Sequence, residues 1–178
     1  HVTEGDYSSA AFLLAAAAIT NSYVKITNLR RDTLQGDRKV IEVLQEMGSQ
    51  VKIGENHVKV LGANQGLRGV KVDLRDTPDL VPVCAALACY AHGKTVIRGA
   101  GRLRFKESDR IASISSELRK MGGKIMESKE GFIIEGGRLH GAEIDPHKDH
   151  RIAMACTIAA LGAEETTTIH GIKCVDKS

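Results

Sequence analysis

The chain has 178 residues, 42% hydrophobic and 26% charged, with a net charge of +3. That is an ordinary globular composition, with enough chain for one sizeable core or two small ones. With no Trp, three Phe and three Tyr, it has no basic stripe interleaved with aromatics of the kind that stacks nucleic-acid bases.

Glu4-Gly-Asp-Tyr-Ser-Ser9 leads into residues 10–19, a helix apolar on nearly every side, which must therefore be packed all round. This run is too short to span a bilayer and lacks the basic flank of a signal peptide, so the expected location is cytoplasmic. Residues 22–29 alternate as a strand. A polar turn then opens Gly36-Asp37-Arg38 and an amphipathic helix carrying Val40, Val43, Leu44 and Met47, with Gly48 as its C-cap. Residues 51–61 read as a hairpin about Gly54-Glu-Asn56.

Residues 70–74 form the next strand, and Thr77-Pro78-Asp79 starts a second wholly apolar helix over residues 81–90, Thr77 being the expected N-cap and Pro78 the first helical residue. After a strand at 95–98 comes Arg104-Phe-Lys-Glu-Ser-Asp-Arg110, which runs into a helix carrying Ile111, Ile114, Leu118 and Met121. The charged run therefore occupies a loop and a helix start, where free N–H groups and the helix dipole favour anions. Lys106 and Arg110 work against that dipole, and with the N–H groups they could hold a phosphate or carboxylate. The plainer reading is a solvated helix start whose charges pair among themselves.

Gly122-Gly123 closes this helix, residues 124–135 form a hairpin, and residues 142–145 a strand. Lys148-Asp-His-Arg151 begins a third apolar helix through Leu161, and residues 166–175 read as a strand. Cys84, Cys89 and Cys156 fall in apolar helical patterns and Cys174 in the tail, with no Cys-x-x-Cys and no zinc spacing, so buried free thiols are expected.

Laid side by side, these segments are copies. Asp6, Asp79 and Asp149 each precede an apolar helix, and Asp37-Arg38 and Asp109-Arg110 each open an amphipathic one, with a period of about 70 residues. The unit is strand, buried helix, strand, amphipathic helix, hairpin. Its repetition predicts an α/β fold of βαβαββ units: one domain over 1–178 with pseudo-threefold symmetry, parallel buried helices inside and sheets outside. The opening without Met and the incomplete third copy lead us to expect a piece of a longer protein. If the buried helices run parallel, Asp6, Asp79 and residues 148–151 converge on one face, with the Lys106–Arg110 turn beside them. Lys106, Arg110, Arg151 and Lys177 with Asp79 and Glu107 are then the groups that transfer chemistry on a phosphorylated anion requires. His150 is flanked by Asp149 and Arg151, and a lone His in such a place is more often structural than catalytic.

Glu4-Gly-Asp-Tyr-Ser-Ser-Ala10, Gln35-Gly-Asp37, Lys106-Glu-Ser-Asp-Arg110, Asp149-His-Arg151 and the stretch from Lys173-Cys174 to Lys177 together resemble the carboxy-terminal domain of the 5-enolpyruvylshikimate-3-phosphate synthase family. The resemblance covers essentially the whole chain. It implies two similar domains closing over a cleft, and transfer of an enolpyruvyl group from phosphoenolpyruvate to the 5-hydroxyl of shikimate 3-phosphate, without metal or organic cofactor. Carried over by motif, it implies that Asp79 contacts the shikimate hydroxyls and accepts a proton, Lys106 contacts shikimate 3-phosphate and Glu107 moves a proton at the enolpyruvyl carbon. Arg110, Arg151 and Lys177 would hold phosphoenolpyruvate, with Asp149 and His150 in support. At Arg102 some family members carry an Asn that touches the shikimate ring. The expected partners are the two substrates and an amino-terminal domain of the same enzyme, with no nucleic acid or membrane, in a monomer. The sibling transferase acting on UDP-N-acetylglucosamine and a non-catalytic nucleic-acid-binding module are the alternatives. The Lys-Glu-Ser-Asp-Arg run weighs against the first and the scarcity of aromatics against the second.

Overall fold

The computed structural model describes residues 3–177, excluding the side chain of Lys177. Three apolar helices, α1 (Tyr7–Ile19), α3 (Val81–Cys89) and α5 (His150–Ala160), pack against one another in the interior. Every residue of α3 is buried. A helix with no polar face has no other stable placement in water. The amphipathic helices α2 (Val40–Glu46) and α4 (Arg110–Lys120) lie alongside and bury one stripe each.

The first copy continues as β1 (Tyr23–Thr27), β2 (Gln50–Ile53) and β3 (His57–Leu61), an antiparallel sheet in the order β1-β3-β2. The second has β4 (Lys71–Asp73), β5 (Lys94–Arg98), β6 (Lys124–Ser128) and β7 (Gly131–Glu135), in the order β4-β5-β7-β6 with β4 parallel to β5. The third contributes β8 (Glu143–Ile144) and β9 (Thr168–Ile169), also parallel. A parallel pair needs a crossover, and in both cases the crossover is the buried helix, α3 or α5.

The repeat extends to the helix ends. In α2, Gly48 at φ 101° donates to the Gln45 carbonyl while Ser49 donates to Leu44; in α4, Gly122 at φ 88° donates to Arg119 while Gly123 donates to Leu118. Both are Schellman ends, which place a residue in the left-handed region where glycine carries no steric cost.

Two local expectations are corrected. Residues 166–175 are not one strand: β9 holds only Thr168–Ile169, and Ile172–Lys177 form a 3-10 helix. Thr77 makes no side-chain cap, because Pro78–Leu80 form a 3-10 turn before α3 and the Thr77 hydroxyl is buried without a hydrogen bond. Cys84, Cys89 and Cys156 are buried free thiols, and burial pushes each up to about 12. Cys174 is partly buried. Among the described residues no helix is long and apolar enough to cross a membrane.

Leu87 lies at the centre of this packing with no exposed surface. Leu87→Ala is expected to cost about 2–5 kcal/mol, the range for a buried leucine whose cavity only partly collapses, measured as the shift of a denaturant unfolding curve at unchanged slope.

Candidate active site

The starts of α3, α4 and α5 meet at one guanidinium, and the start of α1 lies near enough for the charge of Arg151 to act on Asp6. Arg110 heads α4, is 1% exposed and is held by three carboxylates. Its Nε donates to Asp149 Oδ2 at 2.8 Å, its Nη1 to Asp79 Oδ1 at 2.9 Å, and its Nη2 to Glu107 Oε2 at 2.7 Å and Asp149 Oδ1 at 3.3 Å. Burial by itself would pull Arg110 down, but the bonds and charge of Asp149, with Glu107 and Asp79, outweigh it and the guanidinium is held above its ordinary value. Four of its five N–H donors are thereby used in the fork geometry that arginine presents.

Asp149 is fully buried. It caps α5 by accepting from the Arg151 N–H at 3.0 Å, and also accepts from Ser108 Oγ at 3.0 Å. Burial pushes its carboxyl up, and the Arg110 bonds, the Arg110 charge and these other donors more than offset that, holding it below the usual range. The His150 ring nitrogen Nδ1 lies 3.9 Å from Asp149 Oδ1.

Asp79 departs from the repeat. Asp6 caps α1, accepting from the Ser8 and Ser9 N–H groups, and Asp149 caps α5. Asp79 instead sits inside the Pro78–Leu80 turn and bridges two arginines, with Arg151 Nη2 at 3.1 Å from its Oδ2. Arg151 Nη1 is buried without a hydrogen-bond partner among the described residues. Asp79 and Glu107 side chains are 32% and 37% exposed, whereas Asp149 is closed off. Of the three carboxylates on Arg110, Asp79 and Glu107 thus face solvent and Asp149 does not.

The charged run is only partly self-paired. Glu107 binds Arg110, whereas Asp109 caps α4 through the Ala112 N–H and takes Arg104 Nη1 at 2.8 Å. Lys106 is exposed and makes no hydrogen bond or ion pair among the described residues. Arg102 and Phe105, close to it in the chain, line an open pocket of about 430 Å³ together with Arg75, Arg104 and Lys129. The Lys177 side chain lies outside the described residues, and its backbone ends the 3-10 helix of the tail.

Asp37, quoted in sequence only as a motif residue, belongs to this corner: Ser8 Oγ donates to it, and the charges of Asp79, Arg151 and Asp6 act on it. Burial raises its carboxyl, the Ser8 bond opposes that, and the neighbouring carboxylates add to it. Its partner Ser8 lies in the first turn of α1.

With this geometry in view, likeness to known proteins acquires content. Residues 1–178 match the family described as EPSP synthase (3-phosphoshikimate 1-carboxyvinyltransferase), and the chain belongs to that family of α/β enzymes. It is 46% identical over 172 residues to the 3-phosphoshikimate 1-carboxyvinyltransferase of Methanococcus maripaludis, covering 96% of this chain and 40% of that protein. It is likewise 46% identical over 174 residues to the protein of that name from Thermococcus kodakarensis, covering 98% and 43%. A solved EPSP synthase structure from Acinetobacter baumannii superposes with a TM-score of 0.83 at 33% identity, over 97% of this chain and 43% of that one. The chain thus spans about two-fifths of the length of the relatives it matches.

Asp149→Asn is expected to destabilise the chain by about 3–5 kcal/mol at neutral pH, because it leaves a buried guanidinium short of charge compensation. Since the folded Asp149 lies below the ordinary 3.8, its stabilisation is complete above that value and is lost as pH falls through the depressed one. Unfolding free energies of parent and variant should therefore converge as the solution is acidified below the ordinary range.

Proposed function

We propose that this chain is the carboxy-terminal domain of a two-domain enolpyruvyl transferase. It carries half the site that moves the enolpyruvyl group of phosphoenolpyruvate to the 5-hydroxyl of shikimate 3-phosphate, releasing inorganic phosphate. The observation that supports this most directly is the meeting of Asp79, Glu107, Arg110 and Arg151, drawn from different copies of the repeat, around a single buried guanidinium. The reaction adds the hydroxyl oxygen to the substituted carbon of phosphoenolpyruvate while the methylene carbon takes a proton. It then eliminates phosphate as that carbon gives a proton back.

In this reading Arg110 and Arg151 hold phosphoenolpyruvate, with Lys177 as a third cation; Lys106 meets the phosphate of shikimate 3-phosphate. Asp79 lies against the shikimate hydroxyls and accepts the proton of the attacking one, and Glu107 moves the proton at the methylene carbon. Asp79 and Glu107 are suited to those roles because both are partly exposed and both can leave Arg110 when an anion takes their place. Asp149 stays as the fixed counter-charge and His150 supports it. Neither metal nor organic cofactor has a part in these steps. The amino-terminal domain supplies the other wall, and the complete protein acts as a cytoplasmic monomer.

Half a cleft neither excludes water nor completes the charge clamp. The chain alone is therefore expected to show no turnover above background in a phosphate-release assay, and the complete protein to show it. In the complete protein, Glu107→Gln and Asp79→Asn should each lower kcat by about 10²–10⁴, the usual contribution of a positioned proton-transfer group. Lys106→Met should instead raise the KM for shikimate 3-phosphate by a larger factor than the KM for phosphoenolpyruvate. Turnover of UDP-N-acetylglucosamine in place of shikimate 3-phosphate would move the assignment to the sibling transferase.

A further inference from the structure

Glu117 lies in the second half of α4, on the helix whose first residue is Arg110, and has no exposed surface. A carboxylate so buried must be compensated. Its Oε2 accepts from Lys120 Nζ at 2.7 Å and from the Asp145 N–H at 3.0 Å, and its Oε1 lies 3.0 Å from His147 Nε2. Two of these three partners belong to the connector between β8 and α5, the segment that delivers Asp149, His150 and Arg151.

That connector is conformationally costly. His147 and Lys148 both have left-handed backbones, at φ 53° and 57°, and neither is glycine. Consecutive residues in that region persist only when surrounding contacts over-determine them. Beyond them the connector is pinned again, by Arg110 on Asp149. Its two tethers, Glu117 and Arg110, are about two turns apart on one rigid helix. The loop therefore has its position set by α4 at both ends.

We propose that Glu117 is a positioning residue for the Asp149–Arg151 corner: its carboxylate holds the strained connector so that Asp149 reaches Arg110 and Arg151 reaches Asp79. The kinetic consequence rests on the enolpyruvyl-transfer reading, in which those arginines bind phosphoenolpyruvate while Lys106, which makes no hydrogen bond or ion pair with the connector among the described residues, meets shikimate 3-phosphate. Loosening the connector should then weaken one substrate selectively.

The test is made in the complete protein. Glu117→Leu should raise the KM for phosphoenolpyruvate about tenfold or more, as expected for a misplaced anion clamp, with a smaller change for shikimate 3-phosphate and in kcat. Glu117→Gln, which can still accept from the Asp145 N–H and donate to the other tautomer of His147, should stay close to the parent. Amide exchange should quicken at residues 145–149 in Glu117→Leu, remain slow there in Glu117→Gln, and be unchanged across β6 and β7 in both. Where Glu117→Leu does not fold, His147→Ala carries the test: it removes one Glu117 contact while keeping a non-glycine residue in the left-handed position, and should still raise the phosphoenolpyruvate KM. Equal effects on both substrates, exchange quickened through the whole chain, or no effect in a folded variant would each overturn the proposal. If the parent turns over neither substrate, the substrate reading fails, and the local exchange pattern alone decides whether Glu117 positions the connector.

Discussion

A buried guanidinium is tolerable only if its charge and its donors are met, and the corner of this molecule where the helices begin is organised by that requirement. Arg110 satisfies it by collecting carboxylates from three parts of the chain: Glu107 from its own loop, Asp79 from the turn before α3, and Asp149 from the cap of α5. Each bond fixes one element against another, so the ion cluster doubles as the joint between the second and third copies of the repeat. Replacing such a cluster by apolar groups often costs a protein nothing in stability. Its value here lies in bringing ionised groups of both signs to one place that solvent can still reach from the side of Asp79 and Glu107.

The repeat explains why the joint falls where it does. Three helices with no polar face must bury one another, and in this arrangement their starts share an end of the molecule, adding their dipoles where anionic side chains already gather. The copies are alike in their glycine-ended amphipathic helices and in the aspartate before each apolar helix. They differ at Asp79, where a 3-10 turn opened by Pro78 takes the aspartate off the helix end and turns it toward Arg110 and Arg151. A symmetrical scaffold becomes a site by breaking one cap.

Much of this was legible in the sequence, because apolar helices and a period near 70 residues are signals that tertiary context does not override. The Lys106–Arg110 run was read correctly as a loop and helix start, with α4 beginning at Arg110. What the residues did not disclose was burial of charge. Arg110 in a charged heptad and Glu117 in an amphipathic helix look like solvated positions. The hint for Glu117 was its spacing, three residues after Ile114 and four before Met121, which puts it against the apolar stripe that a carboxylate normally avoids. The tail failed for another reason: the β-branched run at residues 166–169 favours a strand, but only Thr168 and Ile169 find β8 to pair with, and a strand without a neighbour does not form.

The three interior cysteines carry a consequence of their own. Thiol chemistry proceeds through the thiolate, and Cys84, Cys89 and Cys156 are both sealed from solvent and pushed far from ionisation. In the intact molecule an alkylating reagent therefore has almost nothing to react with there, and labelling of these sulfurs must wait for the helices to part. Their rate of modification is a built-in clock for the opening of the helix core, readable by mass without any introduced probe.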